Sequence, residues 1–265
     1  MKKLILFFAQ LGILGTLEAK DCFSEEKKIE HEDFYMTAKF YPYEGSKQTI
    51  IIMPPTGGTN VIDRSYARIL CSEGFNVYIL DKFTGYDEYN LDLEIHRRYY
   101  GRTQRAVDLI LSDIPQDHTV SILGTSVGAL HAAISTGRIE RIKKALIITG
   151  GADITGLIVD SDQEIMRVAR EKRNKMFGFK TRDDYYSELK KHIELDPLFF
   201  EAGYPGKKIS MVIADNDTTV PGPYQRLLQK IAKPKRILEM SDNHFWAIVK
   251  TWLFHRKFVI DSFRD

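Results

Sequence analysis

The chain of 265 residues holds two cysteines, Cys22 and Cys71, too few for a self-contained four-ligand zinc site. It also lacks a charge imbalance: 38 Lys and Arg stand against 36 Asp and Glu, a formal +2, which gives no electrostatic case for a nucleic-acid partner. Internal repeats and low-complexity linkers are absent, so a repeat array is excluded. With 43% hydrophobic and 11% aromatic residues, the chain can instead fill a sizeable core. The glycine pair Gly57-Gly58 fits neither G-x-G-x-x-G nor G-x-x-x-x-G-K-[ST], so the sequence implies no nucleotide. Neither metal nor cofactor is expected. The densest charge run, Arg170 to Lys175, includes Glu171 and reads as a solvated helix face.

One apolar run is present at the start. Lys2 and Lys3 precede Leu4 to Leu17, and a short polar stretch leads to Ala19. This order of positive, apolar and cleavage regions reads as a secretory signal peptide over 1–19, and the run falls short of the ~20 residues of a membrane span. Asp21 before Cys22 does not suit lipidation. Export, periplasmic or secreted, is therefore expected, with no stable membrane span in the mature form. An oxidising compartment would permit a Cys22–Cys71 disulfide. Sequence leaves open whether Cys71, placed by the end of its helix near the surface, pairs with Cys22, or is buried as a small apolar side chain with Cys22 free.

Residues 20–265 read as one domain. Short apolar runs at Thr49 to Met53, Asn76 to Leu80, Thr119 to Leu123, Ala145 to Thr149, Ile209 to Ala214 and Arg236 to Glu239 suit strands buried on both faces of a parallel sheet. Phe34 to Tyr43 alternates more and suits an edge or antiparallel strand. Helical spacing recurs between them: Ile62, Tyr66, Ile69 and Leu70 before Gly74; Tyr99, Thr103, Ala106 and Ile110 before Pro115; Tyr224, Leu227, Leu228 and Ile231 before Pro234; and Phe245, Ile248, Val249, Trp252 and Leu253. Alternating strands and helices predict an α/β fold with a mostly parallel central sheet flanked by helices. Ala152 to Gly206 exceeds what one crossover needs and reads as a helical cap insertion (152–206), or else as ordinary surface helices.

Gly124-Thr125-Ser126-Val127-Gly128 spells G-x-S-x-G between an apolar strand, Val120 to Leu123, and a small-residue helical segment, Val127 to Ser135. A sharp strand-to-helix elbow needs that context, because the turn strains the nucleophile's backbone and glycines clear space around it. The motif and strand order resemble the α/β-hydrolase superfamily over about Gln48 to Ile260. The resemblance implies a catalytic triad in chain order Ser, Asp, His. Ser126 is the expected nucleophile. Asp217, in the D-x-x-V-P stretch Asp217 to Pro221, is the expected acid, with Asp215 and Asp153 as rivals. His244, in Ser241-Asp242-Asn243-His244-Phe245-Trp246, is the expected base. Asn243 stands where the family commonly has glycine, and Asn tolerates a left-handed backbone. His31, His96, His118, His131, His192 and His255 fit the role less well. The oxyanion hole is expected from the N–H groups of Val127 and of Gly57 in Pro54-Pro55-Thr56-Gly57-Gly58-Thr59; the prolines have no N–H, and Thr56 and Gly58 are the alternatives to Gly57.

These expectations describe a serine hydrolase acting on a small-molecule acyl substrate through an acyl-enzyme, with a carboxylic ester as substrate. A peptide bond, or a silent binding protein on the same scaffold, are the alternatives.

Overall fold

The computed structural model describes residues 22–32, 34–80 and 91–264, so the expected leader lies outside the described residues. The strands are β1 (Glu25–His31), β2 (Phe34–Tyr41), β3 (Gln48–Met53), β4 (Asn76–Leu80), β5 (Thr119–Thr125), β6 (Ile142–Ile148), β7 (Lys208–Ala214) and β8 (Arg236–Met240). Among the described residues they form an eight-stranded sheet in the order β1-β2-β4-β3-β5-β6-β7-β8. β2 pairs antiparallel with β1 and β4, and every other neighbouring pair is parallel. The C-terminal ends of β3 to β8 therefore share one edge of the sheet. Loops that leave this edge converge there.

The apolar runs of β3 to β7 became strands because both faces are covered; β8, expected to be buried on both faces, is instead an edge strand with Ile237 and Glu239 exposed. One face packs under α2 (Glu94–Asp113), α3 (Val127–Arg138) and α7 (Gly222–Ala232), through Val107, Ile110, Ala132 and Leu228. The other packs under α1 (Val61–Ser72), α8 (His244–Phe254) and α9 (Arg256–Asp261), through Tyr66, Leu70, Ala247 and Val259. Burial of these side chains on two sides is the main stabilising term.

Between β6 and β7 lie α4 (Ile154–Asp160), α5 (Glu164–Phe177), α6 (Arg182–Lys190) and a 3₁₀ segment, Pro197–Gly203. A third apolar cluster joins this stretch to the rest: Ile154, Leu157 and Ile158 of α4 and Tyr185 and Leu189 of α6 meet Tyr99, Tyr100 and Leu130. The run Arg170 to Lys175 is indeed helical, but it is not wholly solvated. Arg173 turns inward and is 3% exposed.

Three local features depart from expectation. β1 was not legible, because only Ile29 of Glu25–His31 is buried; backbone pairing to β2, not side-chain burial, makes it a strand. Cys71 is fully buried rather than near the surface, because α1 turns Tyr66, Ala67, Leu70 and Cys71 to the sheet. Its sulfur is bonded to that of Cys22, with the Cα atoms 6.2 Å apart. Asn243 has an extended backbone (φ −77°, ψ 171°) and caps α8 by accepting from the N–H of Trp246. No helix among the described residues is long and apolar enough to cross a membrane.

Candidate active site

Ser126 sits at the tip of β5, where the chain turns into α3, with φ 56° and ψ −123°. A non-glycine residue in that region is strained and persists only where its surroundings fix it. Its N–H donates to the carbonyl of Ile148 at 3.0 Å, which extends the β5–β6 ladder to Ser126 itself. The flanking glycines are steric requirements. A Cβ on Gly124 would lie 2.3 Å from the carbonyl oxygen of Gly128, and one on Gly128 would lie 2.0 Å from that of Met53. The G-x-S-x-G spacing is thus dictated by the closeness of β3, β5 and α3 at this point.

Asp217 and His244 leave the same sheet edge on the loops after β7 and β8. The Ser126 hydroxyl donates toward Nε2 of His244 at 2.8 Å, and His244 Nδ1–H donates to Oδ2 of Asp217 at 2.6 Å. Asp217 is 3% exposed. Its Oδ1 accepts the N–H groups of Thr219 (2.9 Å) and Val220 (2.8 Å), and its Oδ2 also accepts from Gln225 Nε2 at 3.0 Å. A buried carboxylate with this many donors is held in one orientation. The arrangement fixes the imidazole tautomer with Nε2 facing the serine.

The rival acids are occupied elsewhere. Asp215 pairs with Arg226 at 2.6 Å on the surface. Asp153 caps α4 by accepting from Gly156 N–H, and also accepts from the Tyr186 hydroxyl at 3.2 Å. Of the remaining histidines, His131 is packed between Tyr99 and Tyr100, and His192 bonds Glu94 at 2.8 Å. Burial holds the His131 imidazole neutral, its pKa lowered to about 3.

Val127 is the first residue of α3, where helix N–H groups have no intrahelical acceptor and the dipole favours negative charge. In the loop after β3, Gly57 (φ 93°) and Gly58 (φ 88°) adopt left-handed backbones, and Gly58 N–H closes a turn onto the carbonyl of Pro55 at 3.1 Å. Thr56 from this loop lines the same pocket as Ser126 and Val127. The cavity volume of that pocket is about 40 Å³. Its walls are His96, Tyr99 and Tyr100 of α2, Leu130 of α3, and Leu157, Ile158, Ser161, Gln163 and Met166 from the stretch between β6 and β7, closed by Thr219 and Val220. The lining is mainly apolar and aromatic. Among the described residues no cluster of His, Cys, Asp or Glu could hold a metal ion.

No protein-family model matches the chain, and no curated protein matches its sequence. Solved structures do match. An esterase of Pyrococcus furiosus aligns at 16% identity and a TM-score of 0.61 over 89% of this chain and 89% of that one. Est1E from Butyrivibrio proteoclasticus aligns at 13% identity and a TM-score of 0.59 over 89% of this chain and 96% of that one. The chain has the α/β-hydrolase fold. An acylaminoacyl peptidase of Pyrococcus horikoshii shares this fold at 13% identity and a TM-score of 0.65, over 96% of this chain but 42% of the larger protein. At such identities the α/β-hydrolase likeness concerns architecture, and chemistry must be argued from the side chains.

Two residues of the site escaped sequence reasoning. Gln225 grips Asp217 from α7, and the only hint is that it lies one turn before the buried Leu228. His96 lines the pocket, and its place with Tyr99, Tyr100 and Thr103 on one helical stripe was a usable signal.

Proposed function

We propose that the chain is a serine hydrolase that cleaves carboxylic esters through an acyl-enzyme on Ser126. The observation that carries this reading is the continuous hydrogen-bond chain from Ser126 Oγ through His244 to buried Asp217. Ser126 Oγ attacks the carbonyl carbon as its proton passes to His244 Nε2, and Asp217 stabilises the imidazolium that forms. The N–H groups of Val127 and Gly57 receive the oxyanion, with Thr56, the pocket-facing member of the same loop, as the alternative to Gly57. His244 then protonates the leaving alkoxide, which departs as an alcohol. Water, deprotonated by the same nitrogen, attacks the acyl carbon; the carboxylic acid is released and Ser126 regains its proton.

The pocket supports an apolar acyl group. It contains Ser126 and Val127 but is not lined by His244, and protonation of the leaving group happens at His244. The acyl chain therefore enters the pocket beneath residues 152–206, which act as a cap and limit its size, while the alcohol leaves on the His244 side. The expected leader over 1–19 adds export to this reading, and a Cys22–Cys71 bond suits an oxidising compartment. A panel of nitrophenyl esters beside matched nitroanilides tests the reaction class. Ester turnover that vanishes in Ser126→Ala supports it; turnover confined to anilides would make the chain a peptidase, and no turnover of either would leave the scaffold a binding protein.

A further inference from the structure

The acyl pocket has two walls with no covalent bond between them nearby. His96, Tyr99 and Tyr100 belong to α2, whereas Leu157, Ile158 and Met166 belong to the cap. The distance between these walls decides how wide an acyl group can be.

One buried side chain spans them. Arg173 of α5 is 3% exposed, and its guanidinium donates to three other parts of the fold. Nε donates to the carbonyl of Leu91, just before α2, at 3.2 Å. Nη1 donates to Nε2 of His96 at 3.0 Å and to the Tyr185 hydroxyl of α6 at 2.9 Å. His96 and Tyr185 are themselves each 1% exposed. A guanidinium can only donate, so Nε2 of His96 is the acceptor and the ring proton sits on Nδ1. Burial and the neighbouring guanidinium keep this imidazole neutral, with its pKa lowered to about 3, so the acceptor persists through the working pH range. A rigid planar cation with fixed donor directions holds such a geometry in a way a flexible ammonium does not.

We propose that Arg173 is a specificity-determining positioning residue: by tying cap helices α5 and α6 to His96 of the opposite wall and to Leu91 just before α2, it sets the width of the acyl pocket. Arg173 does not line the pocket beside Ser126, so it acts through the wall rather than on the substrate. The inference rests on the serine-hydrolase reading and names the device that selects its substrate. The pairs Glu94–His192 and Arg97–Glu194 also join α2 to this stretch, but nearer the surface; loss of the buried bridge loosens the cap against α2 at the pocket, and longer or bulkier acyl groups gain relative to short ones.

The test uses the full chain with nitrophenyl butanoate and nitrophenyl decanoate, comparing wild type, Arg173→Met and Tyr185→Phe. Met keeps an unbranched apolar stem, shorter than that of Arg, and donates nothing. The ratio of kcat/KM for decanoate over butanoate is expected to rise about tenfold in Arg173→Met, the discrimination that one or two methylenes carry in an apolar pocket. Tyr185→Phe removes one acceptor with little change of shape and is expected to shift the ratio the same way by about threefold, so the idea can be judged even if Arg173→Met fails to fold. A small fluorophosphonate applied to each protein separates the two readings. If wild type labels at Ser126 and the ratio does not move in a folded variant, the role of Arg173 is overturned while the hydrolase stands. If wild type does not label, the hydrolase reading itself has failed.

Discussion

Asp217 receives hydrogen bonds from Thr219, Val220, Gln225 and His244, and at 3% exposure each replaces a water it has lost. Changing it to Asn keeps the size but removes the charge and favours the wrong imidazole tautomer. Asp217→Asn is expected to lower kcat by about 10⁴-fold, whereas Asp215→Asn, at a surface ion pair with Arg226, leaves kcat within about threefold. Parallel kinetics on the two variants check this, and the reverse ranking would move the acid to Asp215. Asp63 makes a separate prediction about stability. It is fully buried at the start of α1, its Oδ2 accepts the Asn60 N–H at 3.0 Å, and no described group bonds its Oδ1. Burial raises its pKa to about 6, above the ~3.9 of an unfolded aspartate. The folded state therefore binds more protons between those values, so the stabilisation is complete below the unfolded pKa and is lost as pH rises through about 6. At pH 8 the charged form costs on the order of 3 kcal/mol, and Asp63→Asn, which can still accept from Asn60, should recover a substantial part of it. Urea midpoints at pH 5 and pH 8 measure this; a gain at pH 5 as large as that at pH 8 would contradict it.

At the scale of elements, legibility followed burial. Strands β3 to β7 announced themselves because both faces are covered and each carries a run of apolar residues. β1 did not, since its side chains are mostly charged and its backbone alone holds it to β2. Arg173 was hidden for a related reason: neighbouring charges on α5 are solvated, and only the tertiary partners from α2 and α6 show which one turns inward. The Cys22–Cys71 bond joins the segment just before β1 to α1, across 49 residues of sequence. In the chain-entropy model a loop of this length contributes about 4 kcal/mol, an upper figure for a native bridge. The double variant Cys22→Ser, Cys71→Ala is expected to lower the thermal midpoint by several degrees, and wild type treated with reductant should match it. Intact mass under non-reducing conditions, on protein recovered from export, should be two hydrogens lighter than the reduced form. Two free thiols in the exported protein would exclude the bridge there.

Across the whole molecule, a parallel sheet brings residues 118 positions apart within 2.8 Å, because loops after β5 and β8 leave the same edge. The order Ser126, Asp217, His244 was legible through the resemblance to the α/β-hydrolase superfamily, which puts the acid after a later strand and the histidine last. The pocket was not, since its walls come from α2, α3 and the stretch between β6 and β7, and no short motif records which faces meet. The central claim is that Ser126 is a nucleophile activated by His244, and one measurement bears on it directly. The native protein is treated with a fluorophosphonate, digested and mapped by mass spectrometry, beside Ser126→Ala and His244→Ala. The account predicts one adduct, on the peptide carrying Ser126, absent in Ser126→Ala and slowed by orders of magnitude in His244→Ala. An adduct on another residue, or labelling of Ser126 at the same rate without His244, would contradict it.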